Sequence, residues 1–250
     1  MPEVTITGAR RGAGRPLVLL HTLGTDHHMW DPVLDRLARA RDVLALDLPG
    51  FGGSPPVDGA SPPALAATVA TWLAARGIER PHVAGNSLGG WVALEMAAAG
   101  HAASVTAIAP AGLWAQPLEP KRATARGLAR LLLPVLAPLL RRPGARRLAL
   151  GGTVARPENV PAADALRLVR AYATAPGFDA ANAAMRESRF TALETIDVPV
   201  TLAWPEYDRL VRRLQRIPPG VRSVDLPGCG HLPTWDDPER VAAVLLEGSE

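Results

Sequence analysis

Cysteine is almost absent. Cys229 is the single one in 250 residues, which excludes an intrachain disulfide framework and any multi-cysteine zinc site. Its scarcity fits a reducing compartment. Aromatic residues make up only 4%, so a core must be built from Ala, Val and Leu. Lysine occurs once, at Lys121, so 26 of the 27 basic residues are arginine. Asp and Glu interleave with the arginines along most of the chain, and the net formal charge is only +3; this speaks against nucleic acid as a partner. No uninterrupted apolar run reaches the roughly 18 residues of a membrane span. The start, Met1-Pro2-Glu3-Val4, lacks the basic-then-apolar order of a signal peptide. The expectation is a cytoplasmic protein without stable membrane insertion, a monomer or homodimer, whose partner is a small-molecule substrate.

What is present is an ordinary globular balance. Hydrophobic residues at 48% and charged residues at 20% suffice for one large core and exclude a disordered chain. Short apolar runs alternate with helical patterns. Strands are expected at residues 4–6, 16–20, 42–46, 81–85, 105–108, 198–204 and 221–225. Helices are expected at residues 62–76, where Ser61 caps and Gly77 stops, at residues 88–99, stopped by Gly100, and from near Asp236-Asp237-Pro238 to about Leu246. Strands that are apolar throughout, alternating with helices, predict an α/β fold: a mostly parallel sheet with helices on both faces.

Residues 113–190 break this rhythm. They hold no good strand and read as several helices interrupted by prolines. We expect a helical cap inserted in a core formed by residues 1–112 and 191–250. Within it, Leu128, Leu131, Leu132, Val135, Leu136, Leu139 and Leu140 form an apolar stretch flanked by Lys121, Arg122, Arg126, Arg130, Arg141, Arg142, Arg146 and Arg147. Two readings apply: a helix lying on a membrane surface, or a lid whose apolar face covers a pocket. Pro134 and Pro138 favour the lid, because they should break a long amphipathic helix. Trp114, Trp235 and Leu232 are candidates for lining that pocket, and the two tryptophans fit core packing equally well.

The chemistry centres on Gly85-Asn86-Ser87-Leu88-Gly89-Gly90, a G-x-S-x-G sequence between an expected strand and an expected helix. Such a sharp turn forces its middle residue into a strained conformation, and small residues at 85 and 89 let backbone approach backbone. Ser87 would then stand at the carboxyl end of the sheet. The Leu88 N–H, at a helix N-terminus, would favour an oxyanion. A serine hydroxyl needs a base. Of the six histidines, His231 alone follows the last strand on a Gly-rich loop, Gly228-Cys229-Gly230-His231. Its imidazole needs an acid to fix its tautomer; Asp208 and Glu206 both follow the preceding strand. A second oxyanion donor is expected from the Leu23 N–H, in the loop after residues 16–20. His21 reads as a hydrogen-bonding organiser of that loop. Nothing in the sequence calls for a metal or a cofactor.

These pieces together resemble the α/β-hydrolase superfamily in its single-domain, lid-bearing branch. The resemblance rests on His21-Thr22-Leu23-Gly24, Asp47-Leu48-Pro49-Gly50-Phe51-Gly52-Gly53-Ser54, the Ser87 turn, Asp208, and Gly228-Cys229-Gly230-His231-Leu232-Pro233. It implies a cap placed after the sixth strand and a Ser87–His231–Asp208 triad, in the chain order nucleophile, acid, base. It departs at Thr22, where the family usually has Gly, and at Pro205, where Gly is common. Members that open epoxides carry Asp at the nucleophile position, so Ser87 implies acyl transfer: hydrolysis of an ester, thioester or lactone of a small to medium apolar substrate. Carbon–carbon bond hydrolysis of a vinylogous diketone is an alternative, although Leu232 replaces the tryptophan common in that group. Acyl transfer to another acceptor is a further one. A non-enzyme alternative is a ligand receptor on the same fold.

Overall fold

A computed structural model describes residues 4–118 and 124–250, with the side chain of Thr124 left out. Lys121 and Arg122 lie outside the described residues. The chain runs β1 (Gly8–Gly12), β2 (Pro16–Leu20), α1 (Asp31–Leu37), β3 (Asp42–Leu46), α2 (Pro62–Ala74), β4 (His82–Asn86), α3 (Leu88–Ala98) and β5 (Ser104–Ile108). Four helices follow: α4 (Thr124–Leu139), α5 (Pro143–Leu150), α6 (Ala162–Thr174) and α7 (Phe178–Glu187). The chain then closes with β6 (Val200–Pro205), β7 (Val221–Leu226) and α8 (Pro238–Glu247).

The seven strands form one sheet in the order β1-β3-β2-β4-β5-β6-β7, all parallel except β1 against β3. The central strands are buried from end to end, as expected where helices cover both faces. One apolar cluster joins α2 and α3 to the sheet, and a second joins α1 and α8 to its other face. Ser61 caps α2 by accepting from the Ala64 N–H at 3.4 Å, and Gly77 ends it at φ 70°. Asp237 caps α8 through the Arg240 N–H at 3.0 Å.

Two sequence expectations change. The first strand is Gly8–Gly12, not residues 4–6. A ladder is defined by backbone hydrogen bonds, and this edge strand is mostly exposed, so Gly-Ala-Arg-Arg-Gly shows no apolar signal. Gly8 is needed because a Cβ there would lie 2.1 Å from the Ala45 carbonyl oxygen. The apolar residue ahead of it, Ile6, is buried as an anchor without pairing. The helical segment leaves the sheet after the fifth strand, β5, and not after a sixth as the resemblance implied.

The second correction concerns the prolines. Helix α4 continues through both Pro134 and Pro138. Each proline removes one N–H, but both prolines and Arg130 are exposed, so the carbonyls of Arg130 and Pro134 that lose their donors belong to the solvent side of the helix, where water can replace the bond. Leu136 and Leu140 are buried and Ala129 and Leu133 pack beside them, while Leu128, Leu131, Leu132, Val135 and Leu139 are exposed. The helical segment is tied to the sheet's carboxyl-end loops by backbone bonds: Gly177 N–H to Gly50 O at 2.8 Å, Phe190 N–H to Gly112 O at 2.9 Å and Leu232 N–H to Thr153 O at 2.8 Å.

Candidate active site

Because β2, β4, β6 and β7 are parallel, the loops that follow them leave the same edge of the sheet. These loops carry Thr22 and Leu23, Ser87, Asp208, and His231.

Ser87 adopts φ 55° and ψ −112° between β4 and α3. A non-glycine residue holds this region only where its surroundings over-determine it. Here the Ser87 N–H donates to Ile108 O at 2.9 Å, and its carbonyl accepts from Trp91 and Ala111 N–H groups at 3.0 Å each. The flanking glycines are sterically required: a Cβ at Gly85 would lie 2.1 Å from Gly89 O, and one at Gly89 would lie 2.2 Å from Leu20 O. The local sequence therefore fixes the turn, and the turn leaves Ser87 buried at 6% exposure. The hydroxyl of Ser87 takes part in no hydrogen bond among the described residues. The N–H of Leu88, first in α3, and that of Leu23 are likewise without a hydrogen-bond acceptor among the described residues. The first N–H groups of a helix have no intrahelical acceptor.

His231 and Asp208 are brought together. Nδ1 of His231 lies 2.7 Å from Oδ2 of Asp208, and both side chains are buried. The other carboxylate oxygen, Oδ1, accepts from the N–H groups of Leu210 at 2.7 Å and Val211 at 3.1 Å. Burial alone would raise the Asp208 pKa, but the hydrogen bond and charge of His231 and the two backbone donors outweigh it and hold the carboxyl below its usual range. Glu206, the alternative acid, is turned away and accepts from the Gly228 N–H at 2.8 Å, stitching the acid loop to the histidine loop.

The far nitrogen of His231, Nε2, lies 3.5 Å from Oγ1 of Thr22. Strand β2 flanks β4 in the sheet. The histidine loop thus reaches back from β7 across β6 and β5 to the neighbourhood of the β4 terminus. No hydrogen bond links His231 to Ser87. Thr22 is a contact that sequence reasoning missed; its one signal was the departure from glycine after His21.

Four of the five remaining histidines have hydrogen-bond partners of their own. Nε2 of His21 accepts from the Leu48 N–H at 2.9 Å, so Nδ1 is the protonated nitrogen and donates to Thr22 O at 2.8 Å. Burial lowers its pKa and keeps it neutral. This matches the loop-organising role expected of it. Nδ1 of His27 pairs with Asp47 at 2.8 Å, His28 with Asp31 at 3.0 Å and His82 with the Ser104 hydroxyl at 2.8 Å. His101 is exposed beyond α3. Cys229 is buried, and desolvation followed by the charges of Asp236 and Asp237 pushes its thiol up to about 12. Among the described residues, no group of three or more His, Cys, Asp or Glu is placed to hold a metal ion.

The expected pocket residues do not form one cluster. Trp114 packs with Trp91, ring centroids 5.6 Å apart, and its indole N–H donates to Ser188 O at 2.9 Å. Leu232 and Trp235 belong to the cluster on the opposite face. Two aromatics not singled out from sequence stand nearer the Leu23 loop: a Cβ on Gly24 would lie 2.9 Å from the Tyr172 ring and 3.0 Å from the Phe178 ring. These rings meet edge-on at 5.2 Å and roof the loop from α6 and α7.

Comparison with known proteins agrees with this architecture. The model of the alpha/beta hydrolase family matches residues 17–244. The epoxide hydrolase EphH of Mycobacterium tuberculosis is 33% identical over 183 residues, covering 68% of this chain and 86% of that protein. The dihydrolipoyllysine-residue acetyltransferase component of the acetoin cleaving system of Cupriavidus necator is 41% identical over 113 residues, 44% of this chain; the match spans only 30% of that relative's length. Among solved structures, a thermophilic esterase from Thermogutta terrifontis superposes with a TM-score of 0.76 at 24% identity, covering 98% of this chain and 92% of that one. With a seven-stranded, mostly parallel sheet and a family match across nearly its whole length, the chain belongs to the alpha/beta hydrolase family.

Proposed function

We propose that the chain is a serine hydrolase that cleaves an ester, thioester or lactone through an acyl-enzyme on Ser87. The observation that carries this reading is the strained, buried Ser87 at the same sheet edge as the 2.7 Å His231–Asp208 pair. In this reading His231 Nε2 takes the proton of Ser87 Oγ as the oxygen attacks the substrate carbonyl. Asp208 holds Nδ1–H toward itself, which leaves Nε2 free to accept. The resulting oxyanion sits between the Leu88 and Leu23 N–H groups, which have no acceptor of their own. The imidazolium returns the proton to the leaving group, and water repeats the sequence to release the acid. The Ser87–His231 hydrogen bond forms when substrate displaces the Thr22 contact; such bonds often tighten only in the complex.

The nucleophile discriminates between chemistries. A serine that opened an epoxide would form an ether, which this machinery has no means to hydrolyse. A serine that attacks a carbonyl forms an ester, which it can. Acyl transfer therefore suits this site, and epoxide opening, named for the M. tuberculosis relative, does not. Tyr172 and Phe178, packed above the Leu23 loop, are the aromatics nearest the proposed oxyanion donors.

A fluorophosphonate probe tests the reading. Wild type is expected to gain one phosphonyl group on the peptide holding Ser87, and Ser87→Ala to gain none and to lose turnover of p-nitrophenyl esters by at least about a thousandfold. Folded wild-type protein that stays unlabelled would favour the receptor alternative and end the enzyme reading. A lactone and a vinylogous diketone assayed beside the esters separate the hydrolytic alternatives, and added alcohols or amines reveal acyl transfer.

A further inference from the structure

Helix α4 has two apolar faces, and one of them is uncovered. Ala129, Leu133, Leu136 and Leu140 turn inward. At 100° per residue, Leu128, Leu131, Leu132, Val135 and Leu139 fall in a separate stripe about 100° wide, and all five are exposed, Leu131 at 76%. Leu148 of the next helix is exposed at 90%. A folded chain normally leaves large apolar residues exposed singly; a contiguous stripe marks a surface with an occupant.

The charge around the stripe says which occupant. Residues 124–157 carry seven arginines and no Asp or Glu, so the chain's net +3 leaves −4 on everything else. Arg126, Arg146 and Arg147 are engaged by Asp179, Glu158 and backbone carbonyls. Arg130, Arg141 and Arg142 are exposed and join no ion pair among the described residues. Two of them follow the stripe directly at its carboxyl end. A second copy of this chain would bring cationic face against cationic face, which disfavours self-association. A helix of 16 residues, about 24 Å long, with one outward apolar stripe and arginines able to reach past it, matches a flat anionic interface.

We propose that the outer face of α4, with Arg141 and Arg142 directly after it, rests on the surface of an anionic phospholipid bilayer. The side chains enter the headgroup boundary without spanning it: no helix of the described residues is long and apolar enough to cross a membrane. This docking does not depend on the chemistry at Ser87, and its test is separate from the probe experiment.

Co-sedimentation with vesicles provides the test. Wild type is expected to pellet with phosphatidylcholine–phosphatidylglycerol vesicles at low salt at least about tenfold more strongly than with phosphatidylcholine alone, and to be released by high salt. The triple substitution L131S/V135S/L139S, and separately R141E/R142E, are expected to reduce binding at least tenfold. Both should leave turnover of a water-soluble ester and the circular dichroism spectrum unchanged, because every substituted side chain is exposed. Binding no stronger to anionic than to neutral vesicles would overturn the proposal. So would binding indifferent to the triple substitution, or a concentration-dependent dimer of wild type that the triple substitution abolishes.

Discussion

Replacing Asp208 with Asn isolates what the carboxylate does for His231. Oδ1 of Asp208 accepts from two backbone N–H groups, those of Leu210 and Val211. The asparagine carbonyl must occupy that position, since an NH2 group there would face two donors. Its NH2 is then forced toward His231 Nδ1, which must become an acceptor. The proton moves to Nε2, which then cannot play the accepting role the proposed mechanism gives it toward Ser87. The substitution also removes a buried charge 2.7 Å from the imidazole. For charge centres about 4 Å apart at an effective dielectric of about 20, that interaction is worth roughly 4 kcal/mol, or about a thousandfold in rate. Asp208→Asn is therefore expected to lower kcat on a p-nitrophenyl ester by about 10³–10⁴-fold with little change in KM. The fold should survive, because Asn keeps both loop bonds; urea denaturation checks this. Activity within tenfold of wild type would refute both the forced amide orientation and the role of Asp208.

Other outcomes follow from the same structure. Asp47 accepts from His27 Nδ1 and from the His27, Gly53 and Thr7 donors at 2.7 to 3.0 Å. Although burial opposes it, these donors hold its carboxyl below the usual range, and the same carboxylate outweighs burial at His27 and raises that imidazole. The carboxylate's contribution to stability is thus present above the ordinary carboxyl pKa and lost as pH falls through the depressed value. The His27 contribution is present below the ordinary histidine pKa and lost as pH rises through the elevated one. Asp47→Asn should cost about 2 kcal/mol near pH 5–6 and flatten both flanks of the stability–pH curve measured in urea; equal pH dependence in variant and wild type would contradict the assignment. Gly89→Ala should destabilise by roughly 3 kcal/mol, because its Cβ meets Leu20 O at 2.2 Å and His21 O at 2.6 Å in a central strand's exit; thermal unfolding reads this. Cys229, buried with its thiol pushed up to about 12, should resist iodoacetamide at pH 8 in the native protein and react once urea unfolds it, as intact mass will report.

The sequence alone determined what depends on local sterics and on strand order. Two glycines around Ser87 prescribe a turn because no Cβ fits at either place, and parallel strands send Ser87, Asp208 and His231 to one edge whatever the surrounding residues. Long-range contacts were beyond it. That His231 pairs with Asp208 and not with Glu206 was decided by two backbone donors and an imidazole converging from separate loops. The proximity of Thr22 to His231 was decided by a loop that crosses several strands to reach it. Strand β1 was invisible because an exposed edge needs only backbone pairing. Helix α4 survived its prolines because water can satisfy the carbonyls they strand, a matter of which side faces solvent. Periodicity records which residues share a face; only packing decides which face is covered.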